Sequence, residues 1–185
     1  MKTITIVGPP GSGKTTLTSS LADKIQFKPL FCGDIYRHAK SNNTPNYQEL
    51  NQYEEMGGIT YKKGLNNFII KELNEKISSN DLVIIEGFKD NNFIPFINNV
   101  RDIDLVIILN GPIDVLVSRI LERKSDRNED NINDANRRIN NYNRFEKRIF
   151  KVIDQNNVNF MMFDVSERNL NQIQDEIINY INKNI

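Results

Sequence analysis

Two side chains that carry much of enzyme chemistry occur only once each in this sequence of 185 residues, as Cys32 and His38. A single cysteine excludes an internal disulfide and a cysteine-based zinc site. Acid–base catalysis most often uses histidine or paired carboxylates, and no such pair stands at a hydrolase spacing, so the sequence gives little support to a hydrolase. His38 has no catalytic partner in the sequence, and Cys32 is expected to be a small packed residue.

An excess of either charge is also missing, since 24 Lys and Arg residues balance 24 Asp and Glu residues. No overall basic field favours a nucleic-acid partner, and we expect none. No apolar run is long enough to span a membrane, so no membrane partner is expected either. The chain opens on one lysine and a strand pattern rather than a signal peptide, so we expect a cytoplasmic protein. We also expect it to act as a monomer.

What the sequence does have is a phosphate-binding loop. Gly8, Gly13, Lys14 and Thr15 match the pattern G-x-x-x-x-G-K-[ST] in full. The apolar, β-branched residues 3–7 before the loop predict a buried parallel strand. Apolar residues at helical spacing predict a helix directly after it. A strand, a glycine-rich loop and a helix are together the context in which this motif binds phosphate.

Each residue type in the loop suits phosphate binding for a physical reason. Glycines let successive backbone N–H groups point at one anion, and the following helix adds the positive end of its dipole. Prolines stiffen the loop by fixing φ. Lys14 supplies a mobile charge for the β- and γ-phosphates of ATP, and Thr15 offers a hydroxyl to Mg²⁺. The predicted ATP-binding residues of the loop are Gly8, Pro9, Pro10, Gly11, Ser12, Gly13, Lys14, Thr15 and Thr16.

Strand and helix patterns alternate along the whole chain. The predicted strands lie at about 2–7, 28–31, 82–85, 104–109 and 159–163. Alternation of this kind predicts an α/β protein in which one parallel sheet carries helices on both faces. No internal repeat or linker divides the chain, so residues 1–185 are predicted to form a single domain.

Further stretches with glycines, acids and arginines follow this pattern. They are residues 33–37, 57–59 and 86–88, and the series Arg119, Arg123, Arg127 and Arg138. In this order and at these distances the chain resembles the nucleoside monophosphate kinases, of the adenylate kinase and UMP/CMP kinase family. The resemblance extends from residue 3 to about residue 180. Residues 127–131, Arg-Asn-Glu-Asp-Asn, resemble the short lid of that family.

The resemblance implies a fold and a reaction. The fold is a P-loop three-layer α/β/α domain with a five-stranded parallel sheet. It carries a small helical insertion at about 35–60 that binds the monophosphate, and a short lid at about 124–131. The reaction is transfer of the γ-phosphoryl group of ATP, bound with Mg²⁺, to a nucleoside monophosphate. ATP and the monophosphate are then the two expected partners.

The resemblance also implies roles for individual residues. Those expected to act in catalysis are Lys14, Arg119, Arg123, Arg127 and Arg138. Those expected to bind ATP, beyond the loop, are Arg119, Arg123 and Val165. Those expected to bind the monophosphate are Cys32, Gly33, Arg37, Gly58, Ile59, Gly87, Lys89, Arg127 and Arg138. The metal is expected at Thr15 and, through water, at Glu86. Arg144 and Arg148 are predicted instead to lie on a solvated helix face.

Two replacements leave the acceptor open. The family has proline and arginine where this chain has Lys89 and Asp90, and a glutamine that it carries a few residues on is Ile94 here. Lys89 can serve as a point charge, without the bidentate fork of arginine. The alternatives are a P-loop kinase of another small acceptor, such as a deoxynucleotide or a sugar acid, and a non-catalytic ATP-binding regulatory protein.

The residue before Gly33 bears on the acceptor base. In this family that position is usually threonine in AMP-specific members and alanine in pyrimidine-specific ones, and here it is Cys32. A thiol is a weak donor and does not replace an adenine-directed hydroxyl. Asn91 and Asn92 offer amides that suit a pyrimidine edge. The sequence therefore leans slightly to CMP or UMP over AMP, and all three stay open.

Overall fold

The computed structural model describes residues 2–43, 48, 67, 69–71, 74–75, 82–87, 102–122 and 131–184. These residues include five strands and five helices whose bounds are described. The strands are β1 (Thr3–Val7), β2 (Lys28–Phe31), β3 (Val83–Glu86), β4 (Leu105–Asn110) and β5 (Asn159–Asp164). The helices are α1 (Lys14–Ala22), α2 (Cys32–Ser41), α3 (Ile113–Leu121), α4 (Ile132–Gln155) and α5 (Leu170–Asn184).

The strands form one parallel sheet in the order β2-β3-β1-β4-β5. Ile4 at the centre pairs with Ile84 on one side and Leu105 on the other. Every residue of β1 and β3 is buried, because helices cover both faces of the sheet. The predicted five-stranded parallel sheet is thereby confirmed, with each strand within about one residue of its predicted bounds.

Two hydrophobic cores lie on opposite faces of the sheet. One joins α1, α3 and α5 to the side chains of Ile4, Ile6 and Ile107. The other joins α2 to side chains such as Val7, Ile85 and Val106, which alternate with the first set along the strands. These two cores make the three-layer α/β/α architecture that the sequence predicts.

Helix α4 contributes to both cores. Near its start, Ala135 and Ile139 pack in the core with α1, α3 and α5. Farther along, Tyr142, Ile149 and Ile153 pack in the core with α2. The helix therefore passes from one face of the sheet to the other.

Strand order reverses at β1, since β2 and β3 lie on one side of it and β4 and β5 on the other. In open α/β sheets, ligands bind outside the carboxyl ends of the strands at such a point. The phosphate-binding loop follows β1 at this place, and Glu86 ends the neighbouring strand β3. The topology thus brings the predicted donor loop and the predicted metal-binding acid to one edge.

The end of α1 differs from its prediction. The apolar spacing predicts that helix α1 reaches Ile25, but the helix ends at Ala22, with Asp23 as its cap. The N–H of Lys24 donates to the carbonyl of Leu21 at 3.0 Å, three residues back, which tightens the chain after the helix. The N–H of Ile25 donates to the same carbonyl at 3.0 Å. Among the helices in the described part of the chain, none combines the length and the apolar character needed to cross a bilayer.

Candidate active site

The loop between β1 and α1 contains two glycines that share a conformation but not an environment. Gly11 and Gly13 both have φ of +84°. A Cβ at Gly11 would lie 2.4 Å from the carbonyl oxygen of Leu116 in α3, whereas one at Gly13 would meet nothing within 4 Å. Gly11 therefore lets the loop pack against α3, and Gly13, the N-cap of α1, leaves open space at the helix start. The first N–H groups of a helix lack partners within it and suit an anion.

A single backbone carbonyl organises the side chains of the loop. The carbonyl oxygen of Pro9 accepts hydrogen bonds from the Ser12 hydroxyl and the Lys14 ammonium group, both at 2.8 Å. Lys14 Nζ also lies 3.4 Å from Ser12 Oγ. The ammonium group is thus held beside the loop, where it is expected to bind a phosphate of ATP.

A cavity of about 470 Å³ lies above the loop and extends toward the start of α5. Two predicted ATP-binding residues from outside the loop, Arg119 and Val165, line this cavity. The Arg119 Nη2 donates to the Val165 carbonyl at 2.9 Å, so the guanidinium has a fixed place at the wall. The lining residues are Gly11, Ser12, Gly13, Thr16, Leu17, Leu109, Arg119, Val165, Arg168, Asn169, Leu170 and Ile173.

Thr15 and Glu86 meet at the predicted metal position. Thr15 Oγ1 donates to Glu86 Oε2 at 3.0 Å, although 71 residues separate them. Glu86 is only 8% exposed, where β3 ends beside β1. A hydroxyl and a carboxylate are hard oxygen ligands of the kind that Mg²⁺ prefers. Within the described residues, no group of three or more His, Cys, Asp or Glu side chains could hold a metal ion.

The predicted acceptor residues of the described chain gather at the carboxyl ends of β2 and β3. Cys32 is buried at the start of α2, and Gly33 follows it. A Cβ at Gly33 would lie 3.1 Å from Arg37 Nη1, and one at Gly87 would lie 3.9 Å from the Gly33 nitrogen. Arg37 is exposed and forms an ion pair with Asp34. Gly87 directly follows Glu86, so this group borders the metal position.

Helix α4 places three polar residues one turn apart along one face. Arg138 is half-buried, Tyr142 is buried, and Glu146 is half-buried. Burial raises the pKa of the Tyr142 hydroxyl well above its usual range, and the nearby Glu146 charge raises it further. Burial also raises the pKa of the Glu146 carboxyl. Arg148, predicted to be solvated, is exposed on the same helix.

Several predicted site residues and both predicted flaps fall wholly or largely outside the described residues. From the insertion, Arg37 is described and lies as given above. The lid is described only at its last residue, Asn131. The predicted site residues outside the described ranges are Gly58, Ile59, Lys89, Arg123 and Arg127, and Lys89's neighbours Asp90, Asn91, Asn92 and Ile94 lie outside them too.

The cavity also contains two residues that the sequence did not single out, Arg168 and Asn169. Arg168 forms an ion pair with Glu176, and its guanidinium carbon lies 5.5 Å from the centre of the Phe163 ring. The Asn169 side chain accepts from the Gln172 N–H at 3.0 Å, and the Gln172 side chain accepts from the Asn169 N–H at 3.0 Å. This reciprocal cap is readable as Asn-x-x-Gln before an apolar helix, so the sequence did hold a signal for it.

Comparisons with known proteins agree with this geometry. The family model described as adenylate kinase matches residues 6–158. An adenylate kinase of Malacoplasma penetrans is 28% identical over 65% of this chain and 56% of its own length. A probable UMP-CMP kinase 2 of Arabidopsis thaliana is 29% identical over 75% of this chain and 54% of its own.

A third relative carries no activity in its name. The UPF0200 protein MMP1282 of Methanococcus maripaludis is 32% identical over 74% of this chain and 73% of its own length. By contrast, the chain spans just over half the length of the two kinases above. Because the family model covers the end of β1, the loop after it and strands β2, β3 and β4, and the sheet itself has the expected topology, the chain belongs to the adenylate kinase family of nucleoside monophosphate kinases.

Proposed function

We propose that this protein transfers the γ-phosphoryl group of ATP to a nucleoside monophosphate, giving ADP and a nucleoside diphosphate. One observation carries the proposal: the Thr15–Glu86 hydrogen bond joins two groups of residues at one sheet edge. On the Thr15 side lie the phosphate-binding loop and its cavity. On the Glu86 side lie Gly87, Gly33 and Arg37. Two anionic substrates bound to these groups would meet between them.

The chemistry requires little from the protein beyond positioning and charge. An oxygen of the acceptor phosphate forms a bond to the γ-phosphorus, and the bond from that phosphorus to the bridging oxygen of ADP breaks. The attacking oxygen is already ionised, so no general base is needed. Negative charge on the transferring group requires cations. We assign this role to Lys14, Arg119, Arg123, Arg127 and Arg138.

The metal has a defined place in this proposal. Bound with ATP, Mg²⁺ would neutralise negative charge on the β- and γ-phosphates. Thr15 would hold it through the hydroxyl and Glu86 through water. Support comes from the 3.0 Å contact between these oxygens and from the burial of Glu86.

The proposal also covers the domain, its two closing segments and the contacts with the acceptor. One domain, residues 1–185, would act as a monomer in the cytoplasm. Its insertion, about 35–60, and its lid, about 124–131, would close over both substrates and exclude water. Gly58 and Ile59 would contact the acceptor base, and Lys89 would replace an arginine at the acceptor phosphate.

Amide hydrogen exchange tests whether the insertion and the lid close. With a mimic of two nucleosides joined by five phosphates bound, both segments should gain protection. Protection at the loop alone contradicts closure.

We infer that the acceptor is CMP or UMP rather than AMP. Cys32 is 2% exposed beside Gly33, and its thiol is a weak donor toward an adenine base. The relatives include both an adenylate kinase and a probable UMP-CMP kinase, so they leave the base open.

The test measures ADP release from ATP with AMP, CMP, UMP, GMP or dTMP in turn. Reactions without an acceptor give the background hydrolysis, and reactions without Mg²⁺ test the metal. We expect acceptor-dependent turnover with the highest kcat/KM for CMP or UMP. A tenfold preference for AMP overturns the inference from Cys32 but keeps the kinase. Turnover with none of the five, alongside ATP binding, favours a different acceptor or a regulatory protein.

A further inference from the structure

Asn110 ends β4 beside the candidate active site, and neither the sequence patterns nor the proposed reaction assign it a role. Three of its hydrogen bonds lead in three directions. Its side-chain oxygen accepts from the N–H of Gly111 at 2.8 Å, which fixes the turn after the strand. Its backbone carbonyl accepts from the N–H of Val165 at 2.8 Å, just beyond β5. Its side-chain Nδ2 donates to Glu146 Oε1 in α4, also at 2.8 Å.

The bond to Glu146 joins the strand end to the part of α4 that packs in the core with α2, one turn after Tyr142. Apolar packing fixes the two parts of the helix on opposite faces of the sheet, at Ala135 and Ile139 and at Ile149 and Ile153. Packing of this kind resists separation more than sliding, because it has little directionality. A hydrogen bond to the strand end has a direction and a length, so it sets the position of α4 along its own axis.

Arg138 precedes Glu146 by eight residues, and Tyr142 stands midway between them. Residues four apart lie on one helix face, so the three form a row. A helix is stiff over two turns, and a shift at Glu146 therefore moves Arg138 by a similar amount.

The same strand end also leads to the other arginine of the site. Val165, whose N–H binds the Asn110 carbonyl, offers its own carbonyl to Arg119 at 2.9 Å. Glu146, Asn110, Val165 and Arg119 thus form one continuous series of contacts. It runs from α4 across the end of the sheet to α3.

We propose that the Asn110–Glu146 hydrogen bond is a positioning device that holds Arg138 of α4 in register with Arg119 of α3 around the transferring phosphoryl group. Asn110 and Glu146 are positioning residues, since they act through these arginines. The inference rests on the proposed function for the role of both arginines.

Exchanging the two functional groups tests the proposal with nearly constant shape. In Asn110→Asp, the oxygen toward Gly111 remains, but a second carboxylate oxygen faces Glu146 and the bond is replaced by repulsion. In Glu146→Gln, an amide oxygen can still accept from Asn110. In the double variant, the amide introduced on α4 donates to the carboxylate introduced on β4, and the bond returns with its direction reversed. Asp154→Asn, at an exposed acid of the same helix, is the control.

We expect Asn110→Asp to lower kcat about tenfold or more with the KM for ATP changed less than about twofold, because small misplacements of positioned groups reduce the rate strongly. The double variant should recover most of that loss, giving an interaction between the sites in a mutant cycle. Glu146→Gln and Asp154→Asn should stay near the wild-type rate. The affinity for the five-phosphate mimic should follow the same order, measured by calorimetry.

Thermal unfolding of each variant separates positioning from folding. A purely structural contact predicts a lower Tm for Asn110→Asp with unchanged kcat and mimic affinity in the folded protein, and that result overturns the inference. An uncorrected loss in the double variant overturns it too. If the wild-type protein binds the mimic but phosphorylates no monophosphate, the proposed function fails, while the order of mimic affinities still decides the inference.

Discussion

The loop after β1 and the start of α2 lie at the same edge of the sheet, yet they are built differently. Around the loop, backbone atoms determine the geometry, through the Pro9 carbonyl and the close approach of Gly11 to Leu116. At the start of α2 the charged group is the exposed side chain of Arg37, held by Asp34. In the proposed reaction the donor is always ATP, whereas the acceptor differs between members of the family. Backbone atoms, which mutation does not replace, therefore suit the ATP site, and side chains, which mutation can exchange, suit the acceptor site.

The largest expected effect comes from Lys14→Ala on the donor side. Loss of the ammonium group removes charge from the transferring phosphoryl group, so kcat should fall about 10²-fold or more, with little change in unfolding. ADP release and urea denaturation measure the two. Lys24→Ala is the matched control, because Lys24 lies on the surface, where it pairs with Asp175 at 3.1 Å. A folded Lys14→Ala protein that keeps a tenth of the rate contradicts this role.

Glycine substitutions in the loop should lower the unfolding free energy by different amounts. Gly11→Ala introduces both left-handed strain and a contact of 2.4 Å with Leu116, so we expect a loss of about 2–4 kcal/mol in unfolding free energy. Gly13→Ala has the same strain without the contact and should lose only about 1–2 kcal/mol. Urea denaturation gives both values. Equal losses would show that packing on α3 contributes nothing.

On the acceptor side, Arg37→Ala should raise the KM for the monophosphate about tenfold or more and leave the KM for ATP unchanged. A charged hydrogen bond contributes about 1.5–3 kcal/mol, which sets this scale. Steady-state kinetics with each substrate varied in turn measure it. Arg148→Ala, at an exposed arginine of α4, controls for net charge. An equal rise in both KM values would mean that the two halves of the site are not separable.

The smallest effect concerns the stability cost of Glu146. Burial raises the pKa of this carboxyl, so the folded protein binds its proton more tightly than the unfolded chain. Stability therefore falls as pH rises from the unfolded pKa through the folded pKa, and the cost is complete above that range. Glu146→Gln should raise Tm at pH 8 by less than about 2 °C, with no gain at acid pH. A gain that does not depend on pH would contradict this origin.

Local patterns were enough for the central sheet and the donor loop. β2 has its predicted bounds, Lys28–Phe31, and continuous apolar runs gave β1, β3 and β4, because strands buried on both faces show no polar alternation. The loop was readable since each of its residue types serves the backbone geometry of one motif. Arg119 and Val165 came from the family resemblance, and the structure places both at the same cavity.

What the sequence could not give depends on contacts between distant residues. Asn110 is one asparagine among many in the sequence. The role proposed for it depends on Glu146, which lies 36 residues away in the sequence and 2.8 Å away in space. Arg168 likewise reaches the cavity because the chain turns after β5. Helix α1 ends at Ala22 although the apolar spacing continues past it.

The hydrogen bond from Lys14 to the carbonyl of Pro9 has a consequence for evolution and for binding entropy. Because the acceptor is backbone, any residue at position 9 supplies it, and mutation of that side chain does not remove the contact. A lysine side chain loses up to about 2 kcal/mol of rotamer entropy when it is fixed. Here part of that ordering occurs when the chain folds. In the proposed function, a phosphate oxygen would then replace the Pro9 oxygen as the partner of an ammonium group that already lies beside the loop.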